Sequence, residues 1–293
     1  MIYGIKTVVK YLMGTDIADR GLAVYPDDTF VVSYPRSGNT WTRFLIANLV
    51  HPDKTVSFTN IEKLIPDTSS QSNRALKRTP RPRIIKSHQY FDPRYRKVVY
   101  IARDPRDLVL SYYNFQRKYR QIADDYPLQR YVEDFVHGRL ISADWGSWGE
   151  NVASWVFTRG KSEGFLLVRY EDMISEAERE LARISSFLGV QAERARLVEA
   201  IDKSSAEQMR RMEKDQAGEW VATKKHRKDI PFVGQATAGR WKTELPGESV
   251  KAIETAWGGL MLTLGYGLTT NCDLSTHDPM LWMNGKGGTL RDV

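Results

Sequence analysis

The run Tyr34-Pro35-Arg36-Ser37-Gly38-Asn39-Thr40-Trp41 is the densest set of anion-binding groups in the chain. It follows an apolar, strand-like stretch, Phe30 to Ser33. It opens into a helix-like stretch with Trp41, Phe44, Leu45 and Leu49 on one face. A strand feeding a tight loop and then a helix N-terminus aims loop N–H groups and the positive end of the helix dipole at one point. Gly38 permits close backbone approach, Ser37 and Thr40 bring hydroxyls, and Arg36 brings a fixed positive fork. Such a loop suits a phosphate or a sulfate. It is not the nucleoside-triphosphate loop G-x-x-x-x-G-K-[ST], because Ser33 and Asn39 stand where the first Gly and the Lys belong.

Two further segments carry groups suited to the same ligand. Lys97 to Ala102 reads as a buried strand, and Arg103 leaves its end. Ser111 lies two helical turns further on, so both can face one phosphate beside the first loop. Between the two segments, Arg83 to His88 reads as a short strand ending in polar residues. Lys86 and His88 are two apart on extended backbone and point the same way, so both side chains can enter one cleft.

Taken together, these segments resemble the sulfotransferases that use 3′-phosphoadenosine 5′-phosphosulfate (PAPS). The loop is similar to that family's Y-P-K-S-G-T-T-W, with Arg36 for Lys and Asn39 for Thr. Arg103-Asp104-Pro105-Arg106-Asp107 and Ser111 are similar to its R-x-P-x-D-x-x-x-S. Lys86-Ser87-His88 is similar to its K-T-H, and Tyr170-Glu171-Asp172 to its Y-E-D. Trp145, Trp148 and Trp155 lie in a segment that also resembles family members. The resemblance covers roughly residues 28–266. It implies that Arg36, Ser37, Gly38, Asn39 and Thr40 hold the phosphosulfate, and that Arg103 and Ser111 hold the 3′-phosphate. Trp41 would stack on adenine and Tyr170 would reach it. Lys86 would contact the transferred sulfonate, and His88 would act as general base.

The sequence departs from the family at three places. Where the family has R-K-G-x-x-G-D-W-K, this chain has Gly234-Gln235-Ala236-Thr237-Ala238-Gly239-Arg240-Trp241-Lys242. Gly239, Trp241 and Lys242 fit. Gly234-Gln235 replaces the Arg-Lys pair, which leaves Gln235 and Gly239 as the cofactor contacts there. Arg240 or the run Lys224 to Lys228 would have to supply the missing charge. The family's T-S-F appears as Ser204-Ser205-Ala206, which keeps Ser204 and loses an aromatic contact to adenine. The dimer motif K-x-x-x-T-V-x-x-x-E would begin at Lys242 and is broken by Pro246, Gly247 and Lys251, so the oligomeric state is left open.

The chemistry implied by the resemblance is in-line transfer of a sulfonate to a hydroxyl or amine, with little covalent work for the protein. Arg36 and Lys86 would stabilise charge on the leaving phosphate, and His88 would take the acceptor's proton. Arg36 stays cationic at working pH, so its help is electrostatic. A small-molecule phenol, a sugar hydroxyl, a lipid head group and a natural-product scaffold are all open as acceptors. Two other readings stand beside this one. One is a nucleotide-dependent phosphotransferase, which would need Mg²⁺ and carboxylates at the loop. The other is a non-catalytic adenine-nucleotide or polyanion binder.

The elements that must position these residues alternate. Strands are expected near 29–33, 83–87, 97–102 and 165–169. Helices are expected near 40–50, 107–119, 127–137, 147–159, 176–188, 193–201 and 248–264. This predicts a single α/β domain: a central parallel sheet, helices on both faces, and a P-loop-like phosphosulfate loop at a strand's carboxyl end. Residues 51–82 and 204–240 lack periodicity and are expected to line or cover the cleft. Residues 1–27 form an N-terminal extension in which Ile2, Ile5, Val9 and Leu12 make an apolar stripe. Docking on the body is its expected use, with membrane-surface contact as the alternative. Residues 268–293 are expected to be a loosely ordered tail.

Composition agrees with that plan. The 293 residues, 41% of them apolar, suit one large domain. The single cysteine, Cys272, excludes an internal disulfide and fits a cytoplasmic setting. Lys6 and Lys10 interrupt the N-terminus too often for a signal peptide or a membrane span. Five scattered histidines without a cysteine set predict no metal site. Net charge is +7, and the sharpest cluster is Arg74, Lys77, Arg78, Arg81, Arg83 and Lys86, with no acid between Asp67 and Asp92. It reads as a solvated basic loop over 74–86, or as a surface for an acidic acceptor or an anionic membrane. No aromatic pattern accompanies the charge, so no nucleic-acid partner is expected.

Overall fold

Strands apolar on both faces must be covered on both sides. The computed structural model, which describes residues 16–140, 142 and 144–270, meets that demand with a single α/β domain. Its strands are β1 (Thr29–Ser33), β2 (Ile84–Ser87), β3 (Lys97–Ala102) and β4 (Phe165–Arg169). All pairings are parallel, in the order β2-β1-β3-β4. Side chains alternate between two cores, as a period of two requires. Phe30, Val32, Val98 and Tyr100 enter one core; Val31, Val99, Ile101 and Val168 enter the other.

Among the described residues, twelve α-helices occur in chain order: α1 (Asn39–Val50), α2 (Ile61–Leu64), α3 (Asn73–Lys77), α4 (Pro105–Lys118), α5 (Leu128–Val136), α6 (Trp148–Arg159), α7 (Tyr170–Ser175), α8 (Ala177–Leu188), α9 (Arg194–Lys203), α10 (Ala206–Gln216), α11 (Trp241–Glu244) and α12 (Gly247–Thr263). The Val31 face is covered from α1, α8, α9 and α10, through residues such as Phe44, Ile184, Leu197 and Met209. The opposite face is covered from α4, α5, α6 and α12, through Leu108, Phe135, Trp155 and Trp257. The sheet and seven of the eight helices of nine or more residues match the sequence expectation. Two details differ. Helix α1 is buried continuously from Thr42 to Leu49, not along one stripe. Residues 204–240, expected to lack regular structure, contain α10. Only Met209 and Glu213 of that helix are buried, so it has no apolar stripe to read; Ser205 caps it by accepting from the Gln208 N–H.

The chain leaves β1 for β2 on one side, then returns across it to β3 on the other. The carboxyl ends of β2, β1 and β3 are therefore neighbours, which is where such sheets bind ligands. The basic cluster is less free than its sequence suggests. Arg83 is buried against Asp28 at 2.5 Å, Lys86 pairs with Asp67 at 2.5 Å, and Arg81 pairs with Asp27 at 2.5 Å. The neutralising acids come from before β1 and from the segment preceding β2, so the local sequence could not reveal them. No described helix is long and apolar enough to cross a membrane. The stripe at Ile2 to Leu12, Cys272 and the tail beyond residue 270 lie outside the described residues.

Candidate active site

Gly38 ends the loop after β1 and caps α1 in the left-handed region, at φ 92°. A Cβ there would lie 2.5 Å from the Tyr170 ring, so the position demands glycine twice over. Tyr170 lies at the end of β4 and lines the same wall. Its ring stands 6.0 Å from Trp41, edge to face, and the Arg103 guanidinium sits 4.2 Å above it. Arg103 also donates to the Arg36 carbonyl at 3.0 Å. The loop, the exit of β3 and the exit of β4 are thereby locked together.

These elements bound a cavity of about 630 Å³. Arg36, Gly38, Asn39, Thr40, Trp41 and Arg103 line it, as do Lys86, His88, Ser111, Tyr170 and Gln235. Ser37 lies in the loop itself and is fully buried. Among the described residues, its hydroxyl and the buried Nε of Arg103 have no hydrogen-bond partner. Buried donors without partners are costly; Arg103 lines the cavity, whereas Ser37 is not among its lining residues. Asn39 plays a more internal part, donating to the Val31 carbonyl and to Ser33 Oγ at 3.1 Å each.

Lys86 and His88 form a second group at the end of β2. Lys86 Nζ is 2.5 Å from Asp67 Oδ2. Burial opposes ionisation of Asp67, but the charges of Lys86 and Arg43 outweigh it and hold the carboxyl well below the usual range. Asp67 Oδ1 accepts from the Ser69 N–H and hydroxyl at 2.9 and 2.7 Å. Arg43 pairs with Glu62 at 3.1 Å behind them. His88 Nδ1 lies 2.7 Å from the Ser33 carbonyl. A carbonyl can only accept, so Nδ1 carries the proton and Nε2 keeps its lone pair. Burial, and then the Lys86 ammonium, push the ring down to about 3, so it is neutral at physiological pH. Trp145 packs edge-on against it at 5.8 Å.

Among the sequence candidates, Arg36 turns away from Lys86 and His88 within the cavity, and Ser37, Ser204 and Gly239 are not among its lining residues. The Arg36 guanidinium donates to Ser111 Oγ at 3.2 Å and to the Phe232 carbonyl at 3.0 Å, whereas Lys86 and His88 gather around Asp67. Ser204 is fully buried, and its hydroxyl accepts from Asn48 at 3.0 Å; it faces the core and not the cleft. Gly239 donates its N–H to Asp107 Oδ2 at 2.5 Å and helps seat α11. Sequence reasoning missed Asp67 and Phe232, which lie in segments without periodicity. Phe115 could have been found, since it follows Ser111 by four residues on α4 and so shares its face.

The Sulfotransferase domain family model matches residues 26–264. The chain belongs to the sulfotransferase family. Human sulfotransferase 1C2 is 26% identical over 234 residues, covering 74% of this chain and 77% of the human protein. Among solved structures, mouse sulfotransferase SULT7A1 complexed with PAP superposes with a TM-score of 0.68 at 21% identity, covering 83% of this chain and 87% of that one. Retinol dehydratase in complex with androsterone and inactive cofactor PAP gives 0.67 at 20% identity, covering 87% and 85%. The two structures share this fold. Family membership supports sulfonate transfer as the reaction class of this molecule.

Proposed function

We propose that the protein transfers the sulfonate of PAPS to a hydroxyl or amine of a small molecule by in-line displacement. The observation that carries this reading is the meeting of a neutral His88, the Lys86 ammonium and the phosphate loop around one cavity of about 630 Å³. Two solved relatives of the same fold hold PAP, which supports PAPS as the donor. One of them also holds androsterone, which supports a small-molecule acceptor. The orphaned Nε of Arg103, a residue that lines the cavity, fits an oxyanion of the donor. Trp41 and Tyr170 would take the adenine, and the donor would supply the sulfonate and its leaving phosphate.

In this reading His88 Nε2 accepts the proton of the attacking group, while Nδ1–H stays on the Ser33 carbonyl and fixes the ring. Lys86, held by Asp67, lies beside it to neutralise charge on the sulfonate oxygens. A cytoplasmic setting fits the single cysteine of the sequence. The test is incubation with PAPS and a panel of phenols, aliphatic alcohols, sugars and amines, following release of adenosine 3′,5′-bisphosphate. Turnover is expected with at least one class. His88→Ala should lower kcat by about 10²–10⁴-fold with little change in donor affinity. No release with any acceptor class would sink the reading.

A further inference from the structure

The fold splits the basic run between Asp67 and Asp92 into two halves. Arg81, Arg83 and Lys86 are taken by Asp27, Asp28 and Asp67. Arg74, Lys77 and Arg78 are exposed, and among the described residues they have no carboxylate partner. They stand three and four positions apart along α3 and its C-cap, so they share one face, while Leu76 of the same helix is buried. Ser69 and Ser70, a few residues earlier, line the main cavity. The cationic face therefore begins close to the rim of the cleft.

The chain enters the fold beside that face. Ile17 bridges to Ser72, the Ala18 N–H donates to the Gln71 carbonyl at 2.9 Å, and the Asn73 amide donates to the Gly21 carbonyl at 2.7 Å. Ala18 and Leu22 are buried, yet Ile17 is 54% exposed, the most open large apolar side chain among the described residues. One such residue is ordinary on a surface; this one adjoins the start of the helix that carries the unpaired cations. Arg20 is exposed as well. Of the acids in this stretch, Asp19 accepts from Gln89 at 3.0 Å and Asp16 is half-buried. Residues 1–15, which lead to this point, contain Lys6 and Lys10, no acid, and the apolar residues Ile2, Ile5, Val9 and Leu12.

We propose that this face, Ile17 with Arg74, Lys77 and Arg78, docks the protein on an anionic lipid bilayer. An acidic protein surface would match the cations but gives no role to Ile17 or to the apolar residues before it. A bilayer interface takes both: cations at the head groups, apolar side chains at the acyl boundary. The docking face stands apart from the sulfotransferase reading, and neither depends on the other.

The test is flotation of the full chain with vesicles of phosphatidylcholine alone and of phosphatidylcholine with phosphatidylserine. The unmodified protein should bind only the anionic vesicles and leave them at high salt. Combined Arg74→Glu, Lys77→Glu and Arg78→Glu should weaken binding about 100-fold or more, from about fivefold per cation. Ile17→Ser should weaken it about fivefold. Combined Lys224→Glu, Lys225→Glu and Lys251→Glu makes the same change of charge elsewhere and should weaken it far less. All of these side chains are exposed, so the variants keep the fold. If both triple changes weaken binding equally, the net charge of +7 alone draws the protein to lipid and the proposal falls. It falls too if anionic vesicles are not bound. Capture of soluble polyglutamate through Arg74, Lys77 and Arg78 without vesicle binding would assign the face to an acidic protein instead.

Discussion

His88 can act as a base only if it is neutral and correctly oriented; burial gives the first and the Ser33 contact the second. The Ser33 carbonyl holds the Nδ1 proton at 2.7 Å, while burial keeps the ring from taking a second one. Its folded-state value, about 3, lies below the ordinary 6.5. The kcat/KM profile of the free enzyme should therefore show no titration near 6.5; an acid limb centred there would contradict a buried, neutral His88. Stability follows with the same sign. The unfolded chain protonates this histidine below 6.5 and the folded chain does not, so its contribution is complete above 6.5 and is lost as pH falls toward 3. Denaturant unfolding at pH 7 and pH 5 should show a smaller loss for His88→Ala than for the unmodified protein.

At the scale of elements, the segment after α10 is what closes the cleft, and it is held by two charged side chains. Lys118, buried at the end of α4, donates to the carbonyls of Arg227 and Ile230 at 2.7 and 2.6 Å. Glu213, on α10, accepts from the N–H groups of Phe232 and Val233 at 2.6 and 2.8 Å, and stands 3.8 Å from Lys118. Trp220 and Phe232 fill the space beneath, 4.8 Å apart and edge to face. Replacing Glu213 by Gln should cost about 1.5–3 kcal/mol, the scale of hydrogen bonds to a charged group, and should speed proteolysis within residues 217–240. Unfolding in urea and limited digestion would check both. Digestion at the original rate would mean that the aromatic packing alone secures the segment.

For the whole molecule, topology decides the chemistry by gathering three strand ends that lie far apart in sequence. Ser33 stands opposite Ile101 in the β1–β3 ladder, and Val32 opposite Ser87 in the β1–β2 ladder. The phosphate loop, Arg103 and His88 follow within a few residues of those pairs. Arg36, Arg43, Lys86, Arg103 and Arg240 line the cleft together with Glu62 and Asp67. Among the described residues, no group of three or more His, Cys, Asp or Glu could hold a metal ion. On the sulfotransferase reading, transfer should survive an excess of chelator. Loss of activity that Mg²⁺ restores would favour the phosphotransferase reading.

Local sequence determined much of this protein. Short apolar runs marked the strands, and the strand, tight loop and helix start expected around Gly38 are present and border the main cavity. Such features are legible because backbone geometry and side-chain period act over a few residues. Other features belong to tertiary structure. Asp67 reaches Lys86 across a bridge between segments, Asp28 neutralises Arg83, and Asn48 draws Ser204 into the core. Arg36 looks in sequence like a ligand of the transferred group, yet Phe232, 196 positions away, turns its fork toward Ser111. Sequence fixes which groups are available and which backbone they ride on. Their direction depends on charges and rings brought in from distant parts of the chain, and only the packed fold supplies those.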